Sequence, residues 1–163
     1  MSTALLKFSI EAVPSTLRVT GGREIPFVMP ILTLRNAGST EAAGVLVHAA
    51  LSEERGIVHD ATETLGRAAT ADSIPPGGEL TWDVYDLLLK AHPGVASKVH
   101  LWGYRAVLNW WILFSVSAEY RQEGAHGPFQ TGLCRWRLRW FPAEPPSGTI
   151  ELAIESVGNE EAG

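Results

Sequence analysis

Apolar and polar residues alternate with a period of two in several stretches of the chain. The clearest is the run in which Trp110, Ile112, Phe114, Val116, Ala118 and Tyr120 share one parity. Successive side chains of a strand point to opposite faces, so this parity predicts a core face. The other parity reads Asn109, Trp111, Leu113, Ser115, Ser117 and Glu119, apolar at the start and polar at the end. It predicts a strand that leaves a covered region and runs toward solvent. Beyond the turn-rich stretch 121–128, Cys134, Trp136, Leu138 and Trp140 fall on one face, and Arg135, Arg137 and Arg139 on the other. The two runs together predict a long hairpin over residues 108–141. If both apolar faces meet one core, residues of like parity pair, for instance Phe114 with Trp136 and therefore Trp111 with Arg139. A third run, 149–155, puts Ile150, Leu152 and Ile154 inward and predicts a closing strand able to lie at a sheet edge.

The first half predicts shorter strands: one around Leu6, Phe8 and Ile10, one at Leu17 to Val19, one at Pro30 to Arg35 and one at Val45 to Leu51. Asn36, Ala37 and Gly38 are turn residues, because Asn and Gly tolerate positive φ. Pro26 and Pro30 predict a strand that lies on an edge or begins late. Residues 53–72 show no firm period and predict one strand within a long loop. After the turn at Ile74-Pro75-Pro76-Gly77-Gly78, the spacing is ambiguous between strand and helix. It favours a short helix over 84–91, capped by Asp83 and stopped by His92, Pro93 and Gly94. Strands separated by turns, with at most one short helix, predict an all-β antiparallel sandwich rather than a βαβ fold.

At 163 residues the chain is long enough to bury a core unaided, and one domain over 1–157 with an acidic tail over 158–163 is the expected organisation. Cys134 is the single cysteine, so an internal disulfide or a paired-cysteine metal site is excluded. Together with a start that lacks a basic segment followed by an apolar one, this predicts a cytoplasmic protein. No stretch approaches about 18 consecutive apolar residues, so no membrane-spanning helix is expected. A net charge of -5 gives no general attraction for nucleic acid. Charged residues form 19% of the chain, below the roughly 25% usual in globular domains. With six tryptophans, that composition suits either a surface covered by a partner or a large aromatic core.

No local catalytic or nucleotide-binding motif is present, so no catalytic residue, cofactor or metal site is assigned. His48, His59, His92, His100 and His126 lack the close spacing that puts two imidazoles on one metal. His48 shares the parity of Leu46 and Ala50 and reads as a sheet residue. His126 lies in the hairpin turn, the accessible position among the five. Cys134 shares the inward parity of Trp136 and reads as a small buried hydrophobe.

The most specific feature is the run Arg135-Trp136-Arg137-Leu138-Arg139-Trp140. Three guanidiniums on one strand face repel one another unless something answers them. Glu119, Glu123 or the acidic closing strand can supply countercharge, with Trp111 giving a cation–π contact. A protein partner is the second reading, since Trp and Arg are enriched at interface hot spots, and it makes Trp111, Leu113, Arg135, Arg137 and Arg139 the contact residues. A polyanion is the third. Trp102, Tyr104 and Trp111 also form a candidate aromatic platform for sugar rings. An enzyme with a scattered active site would have to gather His126, His100 or Cys134 with a carboxylate.

The segment Leu32-Thr-Leu-Arg-Asn-Ala-Gly-Ser-Thr-Glu-Ala-Ala-Gly-Val-Leu-Val47 resembles the strand, Asn-x-Gly turn and strand of bacterial immunoglobulin-like and CARDB-type modules. Ile74-Pro-Pro-Gly-Gly-Glu-Leu-Thr-Trp82 resembles their later proline-glycine turn into a strand. The likeness covers about a third of the chain. It implies an immunoglobulin-like sandwich that acts as a spacer or binding domain without catalysis. The sequence thus predicts a non-enzymatic interaction module, an accessory or structural subunit that binds a like or unlike protein through the Trp/Arg face. Carbohydrate binding is the alternative.

Overall fold

Two antiparallel sheets enclose one aromatic and aliphatic core, as the alternation predicts. The computed structural model describes residues 3–18, 22, 24–53, 65–91, 111–142 and 150–158. Its elements are β1 (Leu6–Arg18), β2 (Glu24–Asn36), β3 (Ala42–Glu53), β4 (Gly66–Ile74), β5 (Glu79–Asp83), α1 (Val84–Ala91), β6 (Trp111–Arg121), β7 (Phe129–Gln130), β8 (Cys134–Pro142) and β9 (Ile150–Ser156). The smaller sheet has the order β1-β2-β5 and the larger β4-β3-β6-β8-β9, with β7 paired to β6. Leu32 and Leu34 of β2 meet Phe114, Val116, Trp136, Leu138 and Trp140 of the larger sheet in the core, and Phe114 stacks with Trp136 at 6.3 Å between ring centroids. α1 adds Val84, Leu87 and Leu88, an i, i+3, i+4 stripe, and packs against β3 and β4. Its first turn is capped as predicted, the Asp86 amide donating to Asp83 Oδ1 at 3.1 Å.

The first half departs from the sequence expectation. In place of short strands, β1 and β2 run for 13 residues each as one hairpin, from Leu6 against Asn36 to Arg18 against Glu24. The prolines explain why the pattern misled. The Asn36 amide donates to the Gly78 carbonyl and the Gly77 amide to the Asn36 carbonyl, so even-numbered residues of β2 turn their backbone groups toward β5. Pro26 and Pro30 share that parity, and β5 pairs with residues 31–35 alone. Their missing N–H groups therefore fall where no described strand pairs with that side of β2, and the β1–β2 ladder is unbroken. The expectation of an edge holds for this stretch. Pro14 sits opposite Val28, which turns its absent N–H to the outer margin of β1. The Val28 carbonyl, left open by the same geometry, accepts a hydrogen bond from Trp140 Nε1 at 2.9 Å, which links the two sheets.

The predicted register of the late hairpin is borne out: Phe114 pairs with Trp136 and Trp111 with Arg139. Nearer the turn the count changes. Tyr120 pairs with Phe129, yet Val116 pairs with Cys134, so Thr131, Gly132 and Leu133 face Ser117 and Ala118, one residue in excess. The ladder is mended locally, since the Thr131 amide donates to the Ala118 carbonyl and the Ala118 amide to Thr131 Oγ1, both at 2.9 Å. This bulge switches parity. It lets Phe129 stack on Tyr120 at 5.7 Å while Cys134 and Trp136 still point inward.

Asn36, wholly buried at the end of β2, joins five segments. Its Oδ1 accepts the amides of Leu5 at 3.2 Å and Gly38 at 3.0 Å, and its Nδ2 donates to the carbonyls of Thr40 at 2.8 Å and Ile74 at 2.9 Å. All four side-chain hydrogen-bonding positions are satisfied. Gly38 is required beside it, because a Cβ there would lie 2.1 Å from the Thr3 carbonyl oxygen.

Candidate interaction face

The larger sheet buries Phe114, Val116, Ala118, Trp136, Leu138 and Trp140, so the odd-numbered positions of β6 and β8 form its outward face. Arg135, Arg137 and Arg139 follow one another there, in register with Ser115, Leu113 and Trp111 of β6. The even-numbered pairs of β8 and β6 exchange the ladder bonds, because the Val157 amide donates to the Arg135 carbonyl and fixes odd residues of β8 toward β9. The three arginine pairs are therefore the close, non-hydrogen-bonded kind, in which side chains approach most nearly. The sequence expectation that arginines stand beside Leu113 and Trp111 in register is met. Trp111 is described in its backbone, whereas Trp102 and Tyr104, the other members of the proposed aromatic platform, lie outside the described residues.

The acidic closing strand answers the stripe in part, as expected. Arg137 pairs across to Glu155 on β9, Nη1 to Oε2 being 3.8 Å, with the two side chains 35% and 56% exposed. An exposed pair at that distance contributes about 0.5 kcal/mol or less. Glu119, another expected countercharge, accepts instead from Gln130 Nε2 at 3.5 Å. The Arg139 guanidinium lies 5.0 Å from the centroid of the Phe141 ring. Phe141 was missed by sequence reasoning, although its place two residues beyond Arg139 on the same parity was a usable signal. Arg135 is exposed and Leu113 half-buried. The result is a stripe of guanidinium, aliphatic and small polar groups on the outward side of the sheet, with Arg137, Arg139, Leu113 and Ser115 half-buried.

The other sequence candidates are dispersed. His48 is half-buried on the same outward face, opposite Ser117 of β6 and Arg67 of β4. His126 is exposed in the hairpin turn, and His59, His92 and His100 lie outside the described residues. Cys134 is half-buried with its Sγ 3.8 Å from the Gly132 carbonyl, and burial pushes its thiol pKa up, away from the thiolate that nucleophilic chemistry needs. Among the described residues no group of three or more His, Cys, Asp or Glu could hold a metal ion. No helix among them is long and apolar enough to cross a membrane. Comparison of the chain with protein-family models and with curated proteins finds no match.

Proposed function

We propose that the chain is an immunoglobulin-like interaction module, an accessory or structural subunit of a larger protein assembly, and that it binds its partner through the outward face of the β6–β8 hairpin. One observation carries the reading. Three arginines occupy consecutive outward positions of an internal strand, in close register with Leu113 and Trp111, in a protein whose net charge is -5. Guanidinium beside apolar surface is the composition of interface hot spots, where Arg supplies directed hydrogen bonds and its neighbours exclude water. An arginine-rich face on an acidic chain favours a partner surface carrying carboxylates. Positions 135 and 137 are the most accessible to substitution. Arg135→Glu combined with Arg137→Gln should remove the partner from the complex purified from the native host, with the circular dichroism spectrum and urea midpoint retained. A complex that survives both changes in the folded protein removes the proposal.

A further inference from the structure

The ladders of the larger sheet lose their regular count at three places that lie together. Between β3 and β4 the register steps from Val47 against Ala69 to His48 against Arg67, with Ala68 in excess. Between β3 and β6 it shifts between Ala43 and Leu46, where Gly44 takes a φ of 57°. Between β6 and β8 the excess falls at Thr131–Leu133, against Ser117 and Ala118. Bulges add local twist, re-aim side chains and concentrate beside functional sites. Here three successive ladders bulge around the rows that hold Leu46 and His48 of β3 and Ser117 and Glu119 of β6.

One of these rows crosses three strands on the outward face, with His48 of β3 directly opposite Arg67 of β4 on one side and Ser117 of β6 on the other. Directly opposed Cβ atoms stand about 5 Å apart, so the row spans about 10 Å, within the reach of an arginine side chain. Arg67 is exposed, and His48 and Ser117 are half-buried. The outward neighbours of His48 on its own strand are Leu46, half-buried, and Ala50, buried, so water competes less for a hydrogen bond to the imidazole. Among the described residues, Arg67 and His48 take part in no ion pair or side-chain hydrogen bond. Glu119, the next outward residue of β6, accepts from Gln130 Nε2 at 3.5 Å and is drawn toward β7, which lies on the other side of β6 from β3.

We infer that this row is a binding site for a phosphate group. Arg67 offers two parallel N–H donors, His48 one N–H and Ser117 a hydroxyl, which makes four donors from three strands. A carboxylate has two oxygens, and a bidentate arginine alone can engage both. A tetrahedral phosphate has further oxygens for His48 and Ser117, and the Arg67 charge supplies the attraction. Free phosphate and a phosphate monoester share this chemistry.

Two-dimensional NMR on the whole chain, titrated with sodium phosphate at an ionic strength held constant with chloride, tests this. The His48 ring signals and the Ser117 amide should shift together and saturate. Arg67→Gln should raise the dissociation constant about tenfold and Ser117→Ala about threefold, with thermal melts confirming that each variant is folded. Terminally blocked phosphoserine separates the two sources: tighter binding than phosphate assigns the site to a monoester, and equal or weaker binding to free phosphate. Acetate should bind about tenfold more weakly than phosphate. Shifts that do not saturate, saturable binding indifferent to Arg67→Gln, or acetate bound as tightly as phosphate would each overturn the inference. Arg67, His48 and Ser117 are separate from Arg135 and Arg137, so this test and that of the guanidinium face fail independently.

Discussion

At the scale of single residues, the fold depends on polar groups that the alternation cannot display. Asn36 reads in sequence as a turn residue, and it is one, but its burial makes it a junction for β1, β2, the β2–β3 turn, β4 and the turn that follows β4. Asn36→Ala strands two amides and two carbonyls, and should cost on the order of 3 kcal/mol, read as a lower midpoint in urea. Cys134 is the opposite case, a residue whose environment was legible from its parity. Burial raises its pKa above the ordinary 9.0, so the folded protein holds the thiol proton where the unfolded chain releases it. The contribution of this group to stability is then constant below that value and falls as pH rises through and beyond it. Alkylation by iodoacetamide at pH 8 should be slower in the native protein than in urea; equal rates would contradict the burial.

At the scale of elements, the late hairpin was readable to the residue because both its strands alternate strictly and share one core, which leaves a single register. α1 was readable from Asp83 as cap and from the stop at 92–94, whereas its spacing alone was ambiguous with a strand. The bulge at Thr131 was not readable. A one-residue excess leaves no compositional mark when a side-chain oxygen restores the missing acceptor. β1 and β2 were under-read for a related reason: proline signals an edge, but sequence does not tell which side of a strand is open. The bond from Trp140 to Val28 closes that open side. Trp140→Phe keeps an aromatic ring but removes the donor and part of the indole's volume, so it should lower stability by at least about 2 kcal/mol and speed amide exchange near residue 28. Wild-type stability in that variant would show that water serves the carbonyl equally well.

At the scale of the whole molecule, one sheet face builds the core with the smaller sheet and the other presents arginine, leucine and serine to the outside. The placement of the stripe was legible in sequence, since a strict period of two divides β8 into tryptophan and arginine faces. Its neighbours were legible less fully, because Glu155 and Phe141 come into reach through β9 pairing and through the continuation of β8. The central claim is that this face, and not the outward face of the smaller sheet, meets a partner protein. A photo-crosslinking side chain placed at Leu113, amid the arginine stripe, and separately at Ser9, exposed on β1, tests it in the native host. A defined adduct from position 113 that Arg135→Glu with Arg137→Gln abolishes, and none from position 9, is the predicted result; an adduct from position 9 alone, or from neither, would contradict it.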